Sequence, residues 1–306
     1  MHRGLTSQDV LDTALMWCLG GVVEEVAADL RRQAASLADL AQTHRGTPTV
    51  ARTLTQHAVP TTFGLKVATW LTAVLDAYDD LSGLTLPVQV GGAAGTMAAA
   101  VELGLDPALA RARVAEDLGL TDAPAWHTVR SSVTRAGDAL VRCTDAWGRI
   151  ANDVLTLSRP EVGEVSEGVG GESSTMPHQA SPVLSVLVRR AALTTPMLAA
   201  TLHVAAAAQV DERADGGWHA EWAPLRDLAR RALVAGAQTT DLLEGLQVHP
   251  DRMAATAAAA GAGLFAEQGV MAALVRRDPG ASYLGESETL VDVVLARART
   301  LTEEGT

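Results

Sequence analysis

SQDVLDTALMWCLGGVVEEVAADLRRQAASLADLAQT, residues 7–43, is the stretch on which the fold turns. Leu11, Leu15, Leu19, Val22, Val26, Leu30, Leu37 and Ala41 recur mostly every three or four positions, the period of one face of an α-helix. Thr6 and Ser7 are good caps for its start. Asp9 and Asp12 place negative charge near the positive end of the helix dipole. At about 1.5 Å per residue such a helix runs roughly 55 Å, and it needs long partners.

Four further stretches supply them: residues 61–81 after Pro60, 124–157, 182–210 with a kink expected at Pro196, and 220–246. Strand signals are nearly absent. LTLPVQVGG (84–92) reads as an extended connector. The expected fold is therefore all-α, an elongated bundle of long helices. A boundary is expected at QVHPDRM (247–253), which divides a bundle domain, residues 1–248, from a small C-terminal helical domain, residues 249–306. In the latter, helices are expected after AAGAG (259–263) and over 287–302.

Composition narrows the function. Apolar residues make up 48% of the chain and aromatics 3%, so the core is one of Ala, Leu and Val. A formal charge of −12 argues against nucleic acid or an anionic membrane as partner. Lys66 is the only lysine. Cys18 and Cys143 lie in apolar helical patterns and read as free thiols of a reducing, cytoplasmic compartment. No signal peptide is recognisable, and no run reaches the ~18 apolar residues of a membrane span. Metal-ligand spacing, a phosphate-cradling loop, a dinucleotide fingerprint and a GxSxG elbow are all missing.

Four stretches could carry chemistry. Residues 159–182 interleave Glu161, Glu164, Glu167 and Glu172 with glycines and the hydroxyls of Ser173, Ser174 and Thr175. They form either a binding loop or a solvated connector. MHRGLTSQDVLDT (1–13) gathers donors where a helix N-terminus favours an anion. ARTLTQHAVPTTFGLK (51–66) brings Thr53, Gln56, His57 and Thr61 ahead of the second helix, as a site or as a capping loop. DERADGGWHAEW (211–222) sets Arg213, His219 and Glu221 beside two tryptophans, more in keeping with a pocket wall than a plain turn.

Together these stretches resemble the fumarase/aspartase superfamily. Its mobile loop, G-S-S-x-M-P-x-K-x-N-P, is matched by Ser173, Ser174, Met176, Pro177 and Pro182. Its H-x-G-x-T-S-x-D stretch is matched by His2, Gly4, Thr6, Ser7 and Asp9, and its R-T-x-x-Q-x-A-x-P-T-T-F-G stretch by Arg52 through Gly64. Within the superfamily the chain is most similar to the bacterial 3-carboxy-cis,cis-muconate cycloisomerases. Adenylosuccinate lyases carry a histidine where Leu54 stands.

The resemblance implies a cytoplasmic homotetramer with active sites shared between protomers. It implies no cofactor, no metal, and a small di- or tricarboxylate as substrate. The reaction implied is addition of a carboxylate across a C=C bond, converting 3-carboxy-cis,cis-muconate to the 4-carboxymuconolactone. Ser173 is implied as the proton-transfer group, with His2 as a polar contact or proton relay. Thr6, Ser7, Gln8, Thr53, Gln56, Ser174, Met176, Gln179, Ser181, Arg213 and His219 are implied around the substrate. Two departures stand out. Gln179 and Ser181 replace the loop's lysine and asparagine, and the family's N-terminal domain, expected before His2, is missing from residues 1–306. These leave open a related lyase acting on another substituted succinate, or a truncated, non-catalytic paralogue.

Overall fold

A computed structural model of the chain describes residues 4–168, 171–172 and 180–303. The fold is all-α, with three short two-stranded ladders among the described residues. The long helices are α1 (Ser7–Thr43), α2 (Phe63–Ser82), α5 (Ser131–Leu157), α6 (Val183–Ala207) and α7 (Gly217–Gly245). They match the five expected from periodicity to within a few residues at most ends. The third starts at Ser131 rather than near Pro124. The short helices α3 (Ala98–Glu102) and α4 (Pro107–Leu118), not foreseen, follow the 84–92 connector. The last part of the chain carries α8 (Pro250–Ala260), a 3-10 turn (Gly261–Phe265), α9 (Ala266–Leu274) and α10 (Ser287–Glu303).

A hairpin stands where the sequence suggested only a polar lead-in. Strands β1 (Pro48–Thr53) and β2 (Gln56–Thr62) pair antiparallel around the two-residue turn Leu54–Thr55. Both turn residues have positive φ, 48° and 69°. Such turns usually announce themselves by Asn-Gly or Asp-Gly, and this one lacks that signal. Strands β3 (Val165–Ser166) and β6 (Gln247–Val248) pair with each other, as do β4 (Gly171–Glu172) and β5 (Ala180–Ser181).

The chain forms two compact units. The first comprises Met1–Ala28, Ala77–Asp145 and Arg190–Gly236, the second Asp29–Asp76, Ala146–Arg189 and Ala237–Thr306. The division at residues 248/249 remains a proposal. In the first unit Val133, Ala136, Leu140, Leu202, Leu225 and Leu228 are buried at helical spacing. A Cβ on Gly137 would meet Leu202 Cδ1 at 2.7 Å, so glycine permits the close approach of α5 and α6 there. In the second, Leu30, Leu37, Phe63, Trp70, Trp147 and Ile150 are completely buried. Each such side chain contributes roughly 1.5–3 kcal/mol over its exposed state. Trp147 Nε1 donates to Gln33 Oε1 at 2.7 Å, and Trp70 Nε1 to Asp153 Oδ2 at 2.8 Å, so the indoles are buried without stranding a donor.

One expectation about apolar runs is corrected. Val183–Ala207 and Pro250–Leu274 both have the length and hydropathy, 1.3, of a membrane crossing. Neither is an unbroken apolar run, since Arg189, Arg190 and His203 interrupt the first and Asp251, Arg252 and Glu267 the second. The second is not one continuous α-helix, being broken by the turn at Gly261–Phe265.

Candidate active site

The first two turns of α1 are inside out. Gln8, Asp9, Asp12 and Thr13 are buried, whereas Val10 and Leu11 are about half exposed. The buried four occupy the helix face that Met16 and Leu19 continue. They are there because the extended connector lies against them. Its backbone amides find partners on that face, as buried amides must. Gln89 N donates to Thr13 Oγ1 at 2.9 Å, and Gly91 N and Gly92 N donate to Asp9 at 3.0 and 2.9 Å.

Asp9 also accepts from Thr6 N at 3.0 Å, and His127 Nε2 lies 2.7 Å from its Oδ1. Burial by itself raises the Asp9 carboxyl. The bonds from His127 and from the Thr6, Gly91 and Gly92 amides outweigh it and hold Asp9 below its ordinary value. One turn on, Asp12 accepts both Nη1 and Nη2 of Arg130, at 2.8 and 2.9 Å, and Trp218 Nε1 at 2.9 Å. Glu221 takes the other edge of the same guanidinium, 2.7 Å from Nη2 and 3.1 Å from Nε. Arg130 also stacks on Trp126, 4.7 Å from the ring centroid. Burial drives the Glu221 carboxyl above its ordinary value in spite of Arg130.

This network fixes the surroundings of several expected site residues. Thr6 caps α1 reciprocally with Asp9. Ser7 is exposed beside it. Arg213 reaches over the connector, its Nη2 donating to Ala93 O at 3.1 Å. Thr6, through Asp9, and Arg213, through the Gly92 and Ala93 carbonyls, thus both engage one loop whose amides Asp9 holds. His219 is exposed and stacks on Trp218 and Trp222, with centroids 5.1 and 4.9 Å away. Gln8 is placed differently from expectation. It is fully buried, and its amide donates to Asp12 Oδ2 and His127 O. Asp9, Asp12, His127 and Arg130 were not singled out as site residues. The signal available was polar residues at 8, 9, 12 and 13 on the core-facing helix stripe.

A groove of about 490 Å³ lies beside the same helix start, lined by Leu5, Val10, Trp17, Met97, Leu105 and Val114 among others. Among the described residues, Asp9 is the only charged group on its wall. Its chemistry does not suit a dicarboxylate.

In the second unit, Thr53 and Gln56 face each other across the Leu54–Thr55 turn, both exposed. Just before the turn, Arg52 pairs end-on with Glu164, at 3.0 Å from Nη1 and 2.6 Å from Nη2. Three residues further, Glu167 accepts Leu184 N, Ser185 N and Ser185 Oγ at 3.1, 2.7 and 2.6 Å, satisfying the free amides at the start of α6. Glu164 and Glu167 are therefore anchors, whereas Glu161 is exposed. Ser181, half-buried, sits in β5 opposite Gly171. His2, Ser173, Ser174, Met176 and Gln179 lie outside the described residues.

A bundle of long helices, with donors at the start of α1, is the setting in which the class of the protein is read. A family described as Lyase matches residues 1–194. The chain is 46% identical over 280 residues to a nitrosuccinate lyase of Streptomyces davaonensis, covering 88% of this chain and 59% of that protein. It is 42% identical over 261 residues to a 3-carboxy-cis,cis-muconate cycloisomerase of Bradyrhizobium diazoefficiens, covering 83% and 57%. The crystal structure of the 3-carboxy-cis,cis-muconate lactonizing enzyme from Pseudomonas putida superposes with a TM-score of 0.84 at 30% identity, over 98% of this chain and 78% of that one. The chain belongs to this lyase family, within the fumarase/aspartase superfamily. It spans just under six-tenths of the length of these two curated relatives.

Proposed function

We propose that the chain is part of an enzyme of the lyase and isomerase kind, acting at a carbon beside a carboxylate. One observation carries this: the family match over residues 1–194 contains all three signature stretches, residues 2–9, 52–64 and 171–182. Negative charge that builds up beside a carboxylate needs fixed donors. Arg213 and the polar start of α1 are candidates. Ser173 on the anchored loop is the proton-transfer group, with His2 as relay. In the cycloisomerase reaction, a carboxylate oxygen of 3-carboxy-cis,cis-muconate bonds to a carbon of the neighbouring C=C. The proton delivered from Ser173 goes to the other carbon, and the γ-lactone results.

A second reading has its own support in the 46% identity to a nitrosuccinate lyase. There Ser173 removes the proton from the carbon beside a carboxylate, the C–N bond breaks, and nitrite leaves with its electron pair, giving fumarate. Gln179 and Ser181 favour this change of substrate. Glutamine keeps a donor but loses the lysine charge, at a cost of about 2–4 kcal/mol to a gripped carboxylate.

The assembly proposed is a cytoplasmic homotetramer. Val186, Leu193, Met197 and Val204 line one exposed side of α6, at the spacing of a helix–helix seam. The test is purified chain with each substrate, followed by loss of muconate absorbance and by release of nitrite, for wild type and Ser173→Ala. Turnover of one substrate that Ser173→Ala abolishes supports the reading. No turnover of either substrate leaves the non-catalytic paralogue.

A further inference from the structure

The hairpin tip that carries Thr53 and Gln56 is held in a conformation its own residues do not favour. Leu54 and Thr55 both take left-handed backbone angles, with φ 48° and 69°. Thr55 is β-branched, a residue type that resists that region. Leu54 is 96% exposed, so no packing of its side chain within the chain secures the turn. A strained turn persists only where its surroundings over-determine it.

The surroundings contain a clamp. Arg52, the residue before Thr53, makes the end-on pair with Glu164. The Glu164 side chain is fully buried and that of Arg52 is 17% exposed. The strand register slips between Val50 and Arg52, the kind of irregularity that re-aims a side chain. Glu164 is itself a fixed post. Its N–H donates to Leu157 O at 2.9 Å, and its carbonyl accepts from His249 N at 2.9 Å. A planar fork on a carboxylate fixes direction as well as distance.

We propose that Arg52 and Glu164 are positioning residues: their pair holds the Leu54–Thr55 turn in its strained form and so presents Thr53 and Gln56 to the substrate. The inference rests on the dicarboxylate reading above for the last step only. Lysine at position 52 keeps the charge but gives up the fork, so Arg52→Lys loosens the tip without stranding Glu164. Thr55→Gly gives the turn an intrinsic preference that does not depend on the clamp.

Hydrogen exchange on the full chain tests the clamp without any assay of activity. In Arg52→Lys the amides of residues 50–60 exchange faster by about tenfold or more, while those of α5 and α6 keep their wild-type protection. Adding Thr55→Gly restores most of the lost protection. In parallel, KM for whichever substrate is turned over rises about tenfold in Arg52→Lys with kcat within about threefold, and Thr55→Gly brings it back. Unchanged exchange in Arg52→Lys, or no recovery with Thr55→Gly, overturns the clamp. Faster exchange with unchanged KM overturns the positioning role. If the wild type turns over neither substrate, the proposed function fails while the exchange result still decides the clamp.

Discussion

Arg130 and Asp12 meet fork to fork in the interior of the first unit, with both side chains at most 1% exposed. Glu221 shares the same guanidinium. A buried pair of this kind contributes little net stability, but losing one partner leaves an uncompensated charge. Arg130→Met is therefore expected to cost about 3–5 kcal/mol in urea unfolding. Replacing Arg130, Asp12 and Glu221 together by apolar residues is expected to cost less than that single change. If the triple variant is the less stable of the two, the network contributes more than its own neutralisation.

Asp9 makes the acid limb of stability predictable in sign. Its carboxyl is held below the ordinary 3.8, so the folded chain binds that proton less tightly than the unfolded chain. The resulting stabilisation is complete above the ordinary value and is lost as pH falls through the lowered one. Wild type is expected to lose stability from about pH 4 downward, and the gap between wild type and Asp9→Asn to narrow over the same interval. Denaturant midpoints taken at pH 2.5 to 6 measure this directly.

Gly168 and Gly245 pass each other closely at the loop stem. A Cβ on Gly168 would lie 2.3 Å from Gly245 O, whereas one on Gly245 would have only ordinary contacts, at 3.7 Å or more. Gly168→Ala is expected to cost about 1–3 kcal/mol and to displace the stem. Gly245→Ala should be tolerated. Thermal unfolding and turnover of the pair separate the two, because an asymmetric outcome requires the close approach.

Cys143 is completely buried, and burial pushes its thiol up to about 12. In a Cys18→Ser background the native chain is expected to leave a thiol reagent unconsumed at pH 8, and the denatured chain to consume one equivalent. Reaction in the native state would show that α5 opens locally.

Periodicity made the five long helices legible, because each buries aliphatic residues at helical spacing over most of its length, the first two turns of α1 excepted. It failed wherever the deciding interaction was not periodic. The 48–62 hairpin turns on Leu54 and Thr55, residues with no turn preference, so its conformation depends on Arg52 and Glu164, far apart in the sequence. The buried face of α1 was hidden for a related reason. Asp9 and Asp12 look like ordinary helix-start acids until the connector and Arg130 are seen to claim them. Among the expected site residues, Thr6 and Arg213 both engage the connector, Thr6 by way of Asp9, whereas Gln8 is interior. Its position in a signature could not reveal which way a helical side chain points.

Glu167 ties the loop's front to the first turn of α6 through atoms that do not depend on what the loop tip contains. The anchor at residue 167 is thereby separate from residues 173–181, the part proposed to carry the chemistry. Gln179 and Ser181 lie further along the same segment, beyond the residue that anchors it. On the proposed reading, a change of residue 179 would then alter what is gripped and leave the carboxylate that seats the segment on α6 in place.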